Sequence, residues 1–150
     1  MAKRTLGSKL MTGTNSGFLS FSLLIIRWAV GIILFVVGSG KVLGWFGGQG
    51  MAATVHNFAR MGFSAPLVYL SSFTEFIGGG LLVLGFLTRP AAVAVTINMF
   101  VATMTMMPRG FFRGGAAYPF MLLVCALVIL LAGPMSCSVD ALVFGYTKGR

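Results

Sequence analysis

Acidic side chains are nearly absent from this sequence of 150 residues, which has two Asp or Glu against eleven Lys or Arg. Metal ligands are equally scarce, because there is one His and the two Cys do not form a CxxC motif. A zinc site or a bis-His haem needs more such ligands than this. No flavin-binding motif is present either, so we expect no metal, haem or flavin to be ligated by this chain alone.

The two cysteines, Cys125 and Cys137, fall inside and just after the last apolar run. We interpret them as small packing residues, with a redox pair as the alternative. Their spacing does not identify the redox compartment of the protein.

Charged residues make up only 9% of the chain, whereas 57% of it is hydrophobic and the mean hydropathy is +0.96. This composition lies outside the range of soluble domains and indicates an integral membrane protein. The net charge of +9 is scattered over segment ends and loops. Such a distribution suits lipid headgroups and topology signals, and without a basic, aromatic surface we expect no nucleic-acid partner.

Four segments approach the roughly 20 apolar residues that a helix needs to cross a bilayer. They cover about 18–43, 66–87, 89–107 and 116–133. The first run is too long for the apolar part of a signal peptide and lacks a cleavage site, so we read it as a retained helix. The sequence predicts one all-α domain over 1–150, an integral membrane four-helix bundle.

The connections between the spans differ in character. "GFLTRP" predicts a tight hairpin, in which Thr88 caps the next helix and Pro90 occupies its first turn. Residues 50–66 place apolar side chains at helical spacing, which predicts a short amphipathic helix on the membrane interface. Aromatic and basic residues near the loops are expected to act as interfacial anchors, namely Trp45, Phe46, Arg109 and Arg113.

Four helices place both termini on one side of the membrane, and the basic residues indicate which side. One side would hold Lys3, Arg4, Lys9, Arg89, Lys148 and Arg150, and the other Lys41, Arg60, Arg109 and Arg113. The excess favours cytoplasmic termini in a bacterial inner membrane.

Two ionisable residues lie well inside predicted spans, Arg27 in the first and Glu75 in the second. Each would cost roughly 2.5–3.5 kcal/mol at the centre of a bilayer without compensation. Counting back from the connections brings Glu75 within reach of Arg27. We therefore predict a buried ion pair between them, to which Asn98 of the third span is the candidate third member.

Small and polar residues recur on one face of three spans, as expected for faces turned toward a common bundle axis. These stripes are Arg27, Gly31, Leu34, Gly38 and Lys41; Ser71, Ser72, Glu75, Gly78 and Gly79; and Ala91, Ala94, Asn98, Ala102 and Thr105.

The buried polar residues have three interpretations. The pair could fix helix register only, it could form a ligand or proton-handling site, or the assumed membrane depth could be wrong. Lys41, beside Trp45 and Phe46, has the makeup of an interfacial anchor as well as a place on the inward stripe. The single His56 fits a solvated position on the short helix.

With these residues in view, the chain resembles the DoxX family of small bacterial membrane proteins. The matching stretches are "RWAVGIILFVVGSGKVLGWFGG", "EFIGGGLLVLGFLTRPAAVAVTINM" and "AYPFMLLVCALVILLAGP", followed by "SVDAL". The chain departs from the family pattern at Ala116 and Ala117, where many members have an acidic residue, and at Met135, where the family usually has glycine.

The resemblance implies a four-helix inner-membrane protein associated with a redox complex, and it places any family site at Arg27, Lys41 and Glu75. Two functions follow from it. In the first, the inward stripes bind a quinone, with Arg27 donating to a carbonyl, Glu75 handling a proton and Trp28 or Trp45 flanking the ring. Any enzymatic activity would then be that of a quinone-linked oxidoreductase subunit acting with a partner. In the second, the protein is a non-catalytic structural or assembly subunit that packs against a larger membrane complex.

Overall fold

The computed structural model describes residues 16–133 and 138–140. Five α-helices lie in this part of the chain: α1 Ser16–Leu43, α2 Gly50–Ala59, α3 Ala65–Leu84, α4 Thr88–Met106 and α5 Ala117–Ala132. Single 3-10 turns follow α1, at Trp45–Gly47, and α4, at Met107–Arg109. The all-α prediction is confirmed, and so is the short helix in the first connection.

Glycine and proline set several of the helix ends. Gly44 follows α1 and adopts a left-handed conformation with φ 75°, which stops the helix. The first turn of α3 contains proline, where no helical N–H is lost. Gly85, with φ 68°, ends α3 and donates its N–H back to the carbonyls of Leu81 and Leu82.

The four longer helices run alternately up and down and enclose one core. Helix α1 packs along α3, α3 along α4, α4 along α5, and α5 against α1, while α2 lies against α1 and α3. The central apolar residues are Val30, Leu34, Leu82, Ala91, Ala92, Val95, Met99, Leu122, Leu123, Ala126 and Ile129. The outer face carries many exposed large apolar side chains, as a lipid-facing surface does.

Glycines allow α1 and α3 to touch backbone to backbone. A Cβ on Gly38 would collide with the main chain of Phe76, and a Cβ on Gly79 would collide with that of Phe35. Between these glycines the rings of Phe35 and Phe76 stack with centroids 5.2 Å apart. Because only glycine permits this approach, these contacts fix the register of the two helices.

The predicted spans agree with the helices to within a few residues. By length and composition, three helical segments are able to cross a membrane: Gly17–Leu43, Ala65–Leu84 and Thr88–Arg109. Helix α5 is apolar but has only 16 residues, or about 24 Å at 1.5 Å per residue. It is therefore shorter than the fourth span that the sequence predicts.

The residues predicted to face the bundle axis are turned inward on α1 and α3, but the prediction for α4 is partly wrong. Ala94 is exposed, and the most buried face of α4 instead carries Ala92, Val95, Met99 and Thr103. The reason is that α5 packs along α4 and takes up a face rotated from the polar one. Several residues used in the sequence predictions lie outside the described part of the chain, namely Lys3, Arg4, Lys9, Met135, Cys137, Lys148 and Arg150.

Candidate functional site

A buried ion pair joins α1 to α3. The Lys41 Nζ donates to Glu75 Oε2 at 2.6 Å. The Glu75 side chain is only 7% exposed and that of Lys41 is 24% exposed. Lys41 lies in the last turn of α1, and the contact of Gly38 with the Glu75–Phe76 peptide brings the two side chains to the same level.

Helix α2 contacts Lys41 on the side away from Glu75. The Phe58 ring centroid lies 5.8 Å from the ammonium nitrogen, at the distance of a cation–π contact. The buried Thr54 hydroxyl donates to the Gly50 carbonyl at 2.8 Å and lies 3.5 Å from the Lys41 carbonyl. The short predicted helix is thus packed against the end of α1, and it closes the region around the ion pair.

Glu75 and Lys41 line a cavity of about 300 Å³ between the helices. Most of its wall is apolar, with side chains from α1, α2, α3, α4 and α5. The polar side chains on the wall are Lys41, Ser71, Glu75, Asn98, Thr105 and Tyr118. An apolar cavity with a few convergent polar groups is the usual form of a small-molecule site.

Asn98 is on the same wall, as the sequence suggests, but it does not contact the ion pair in the way predicted. Its Nδ2 points to the Ser71 carbonyl, at 3.5 Å, and so links α4 to α3. Tyr118, at the start of α5, faces the cavity too and was missed by the sequence interpretation. Its only signal was a hydroxyl-bearing aromatic residue at the first turn of an otherwise apolar helix.

The cavity opens toward the lipid-facing surface between α3 and α4. Leu67, Leu70 and Val101 line it and are also among the exposed large apolar residues. At the opposite end of these helices the tight Gly85–Leu87 turn holds α3 and α4 together. The exposed lining is therefore mostly aliphatic, with the half-exposed Tyr118 beside it, whereas Glu75 sits deeper inside.

The predicted pair between Arg27 and Glu75 is wrong. Arg27 is buried, at 2% exposure, but Gly31 lies opposite Val83 and Gly38 opposite Phe76. In this register Arg27 is about twelve residues from the level of Glu75, or roughly 18 Å at 1.5 Å per residue. The sequence prediction placed the start of α3 level with the end of α1, but a 3-10 turn and α2 lie between them and α3 begins beyond that level.

Arg27 lies instead at the end of the bundle where α3 turns into α4. A Cβ on Gly85 would come within 2.8 Å of Arg27 Nη1 and 2.9 Å of Ser138 Cβ. Asp140 is close enough for the Arg27 charge to lower the pKa of its carboxyl group. The second acidic residue of the chain, not the first, therefore faces Arg27.

Asp140 caps α4, a role the sequence interpretation gave to Thr88. Its Oδ1 accepts from the Leu87 N–H at 2.7 Å and its Oδ2 from the Thr88 N–H at 2.9 Å. Burial raises the pKa of Asp140, but the hydrogen bonds from Thr88 and Leu87, together with Arg27, outweigh it and the net pKa is lowered. The signal that could have found Asp140 is the rarity of acids in a chain with eleven cations.

The remaining predicted residues lie away from the cavity. Trp28 is 50% exposed on the outer face of α1, and it cannot flank a ligand in the cavity because the helix turns it outward. Trp45, Phe46, Arg109 and Arg113 are all exposed on the connections, where interfacial anchors are expected. Lys41 is not an anchor only, since its ammonium group is paired with Glu75. Among the described residues, no three His, Cys, Asp or Glu side chains form a group that could hold a metal.

Comparisons with known proteins place this bundle in a family. The DoxX family profile matches residues 22–108, which include Arg27, Lys41, Glu75 and Asn98. Over 127 residues the chain is 31% identical to a protein of Bacillus subtilis (strain 168) named "Putative oxidoreductase CatD", covering 85% of this chain and 88% of that one. No solved structure matches the chain significantly. The profile covers more than half of the chain and the relative nearly all of its length, so this protein belongs to the DoxX family.

Proposed function

We propose that this protein binds a quinone in the cavity beside Glu75 and serves as an accessory subunit of a redox complex in the bacterial inner membrane, with both termini cytoplasmic. The observation that carries the proposal is the Lys41–Glu75 pair at the inner wall of an apolar cavity that opens between α3 and α4. The relative named as an oxidoreductase supports a redox setting.

The cavity fits a ring-sized headgroup with an apolar tail. At about 300 Å³ it lies at the lower end of small-molecule sites, which suits one ring but not a whole isoprenoid chain. The tail would leave past Leu67, Leu70 and Val101, whose side chains form the apolar mouth. Electrons would come from a partner subunit of the complex.

The polar residues have separate roles in this proposal. A quinone supplies its own electron chemistry, so the protein has to bind, orient and handle protons. Lys41 donates a hydrogen bond toward a ring oxygen, while Glu75 holds or accepts a proton next to it. Asn98 and Tyr118 offer an amide and a phenol on the neighbouring walls, which orient the ring.

Binding of a short-chain ubiquinone or menaquinone to the purified protein in nanodiscs tests the proposal. Replacing Glu75→Gln or Lys41→Met should weaken binding at least tenfold, because each change removes half of the charged pair at the wall. The matched controls are Asp140→Asn, the other acid, and Arg60→Met, an exposed cation; neither lines the cavity. Equal binding by all four variants would refute the quinone site.

A second function is favoured by the outer face of α1. Phe21, Ile25, Trp28 and Ile32 are exposed at helical spacing, which forms an aromatic and aliphatic stripe suited to a helix of another subunit. In this proposal the protein is a non-catalytic structural or assembly subunit. Trp28→Ala should then reduce co-purification with a larger complex, and the wild type should bind no quinone in the cavity, whereas the first proposal expects quinone binding that Glu75→Gln and Lys41→Met weaken.

A further inference from the structure

A second cavity lies on the other side of the ion pair. It has a volume of about 380 Å³ and is formed between the end of α1, the loop after it and α2. Three residues line both cavities, namely Val37, Lys41 and Phe58. The Lys41 side chain is therefore part of the wall that separates the two spaces.

The rims of the two cavities differ in chemistry. Around the second cavity lie the amide side chains of Gln49 and Asn57, both exposed and joined by a hydrogen bond of 2.8 Å. The exposed rings of Trp45 and Phe46 complete this rim, which is therefore amphipathic. The first cavity opens past leucine and valine instead. Amide side chains suit water, whereas an aliphatic mouth suits the hydrocarbon of a membrane.

From this arrangement we propose that the Lys41–Glu75 pair is a proton relay between the two cavities: water reaches Lys41 through the second cavity, and the ligand reaches Glu75 through the first. The relay deepens the proposed quinone site, since it identifies where the protons for that site come from. It also assigns the loop and α2 a function beyond anchoring the bundle.

The geometry allows each step of the relay. The proton that Lys41 Nζ donates to Glu75 Oε2 across 2.6 Å can pass to the carboxylate, which leaves a neutral amine and a carboxylic acid. A hydronium ion that enters the second cavity from the aqueous phase then returns a proton to the amine and leaves as water. The net result is one proton moved from the polar rim to Glu75, on the wall of the first cavity.

Few other groups compete for this proton. Within 16–133 and 138–140, the titratable side chains that line the first cavity are Lys41, Glu75 and Tyr118, and the second cavity is lined by Lys41 alone of this class. His56 on α2 is exposed and lines neither cavity. Of the side chains that the structure describes, Lys41 is thus the ionisable one shared by the two spaces.

Cysteine labelling tests the water route without any quinone. A chain with Cys125→Ser and Cys137→Ser receives Val37→Cys as a reporter at the shared wall, which leaves the ion pair intact. A charged, membrane-impermeant methanethiosulfonate should label this cysteine in proteoliposomes. Asn57→Trp, at the rim of the second cavity, should slow labelling at least tenfold, whereas His56→Trp, its exposed neighbour, should not.

A substitution at the mouth of the first cavity provides the control for the lipid-facing route. Leu70→Trp, at the mouth of the first cavity, should leave the rate with the charged reagent unchanged. If Asn57→Trp has no effect, or if Leu70→Trp slows the charged reagent as much as Asn57→Trp does, the separate water route is refuted.

Infrared spectroscopy of the protein with its native cysteines measures the proton itself. The chain has only two acidic side chains, so Glu75→Gln and Asp140→Asn assign the carboxyl bands. After a jump to acid pH, the band of Glu75 should appear at least tenfold more slowly in Asn57→Trp than in the wild type or His56→Trp. Equal rates in all three would overturn the relay. If the wild type binds no quinone but the labelling and infrared rates change as expected, only the proposed function is refuted and the proton relay stands.

Discussion

Replacing Asp140→Asn should destabilise the bundle, although this residue lies outside every helix that lines the cavities. Its carboxylate accepts two backbone N–H groups at the start of α4, from Leu87 and Thr88. Asparagine has one acceptor oxygen, so the variant loses one of these bonds and the charge that faces Arg27. Helix-capping side chains contribute about 0.5–2 kcal/mol, and charged acceptors lie toward the upper part of this range.

The expected loss is about 1–2 kcal/mol of unfolding free energy, the upper part of the range for a helix-capping side chain. For a chain of this size that corresponds to a fall of about 3–6 °C in Tm. The folded pKa of Asp140 is lowered, so its stabilisation is complete above the ordinary carboxyl pKa and is lost as the pH falls through the folded value. The difference between wild type and Asp140→Asn should therefore shrink in acid.

Thermal unfolding in a mild detergent, followed by circular dichroism at neutral and acid pH, measures this difference. The comparison is best made on a Glu75→Gln background, because that change removes the other acidic side chain and leaves Asp140 as the titrating one. Asp140→Glu, which keeps the charge, should recover part of the loss. A Tm equal to that of the wild type at neutral pH, or a difference that persists in acid, would refute the capping role.

Three further changes test the packing around the site. Gly38→Ala should lower the free energy of unfolding by about 2 kcal/mol or more, because the added Cβ would meet the Phe76 backbone. Gly17→Ala is the control: no atom lies within 4 Å of its Cβ position, so the thermal unfolding assay should show a neutral or slightly stabilising effect. Arg27→Met should move the infrared titration of the Asp140 carboxyl upward, since a cation that favours the carboxylate is removed; an unchanged titration would contradict their proximity. Thr54→Val should loosen α2 and speed amide hydrogen exchange there, with no change in α5, because the variant loses the hydroxyl bond to the Gly50 carbonyl.

The sequence predicts the helices well because apolar length and the positions of glycine and proline are local properties. Gly85 and the proline at the start of α3 mark helix ends that can be read without a structure. The inward faces of α1 and α3 are predictable for the same reason, since small residues recur at helical spacing. What a single helix cannot show is its level relative to a neighbour.

The level of α3 depends on the connection before it. The first connection contains a 3-10 turn and the ten-residue α2, so the end of α1 does not mark where α3 begins. Gly38 and Gly79 fix the actual register through backbone contacts, and this brings Lys41 rather than Arg27 to Glu75. The site residues were largely identifiable, but their partners depended on the register of α3 against α1, which the first connection sets.

Two cations on the inward stripe of α1 and two acids in the whole chain allow only two complete pairings. Arg27 lies in the first half of α1, at the end of the bundle where α3 and α5 finish, and Asp140 comes shortly after α5. Lys41 lies in the last turn of α1, at the end where α3 begins. Antiparallel helices therefore bring Arg27 near Asp140 and leave Glu75, midway along α3, to Lys41. A rule that assigns every acid of such a cation-rich chain to an inward cation would have selected this arrangement from the sequence, because a buried charge without a partner costs about 3–5 kcal/mol.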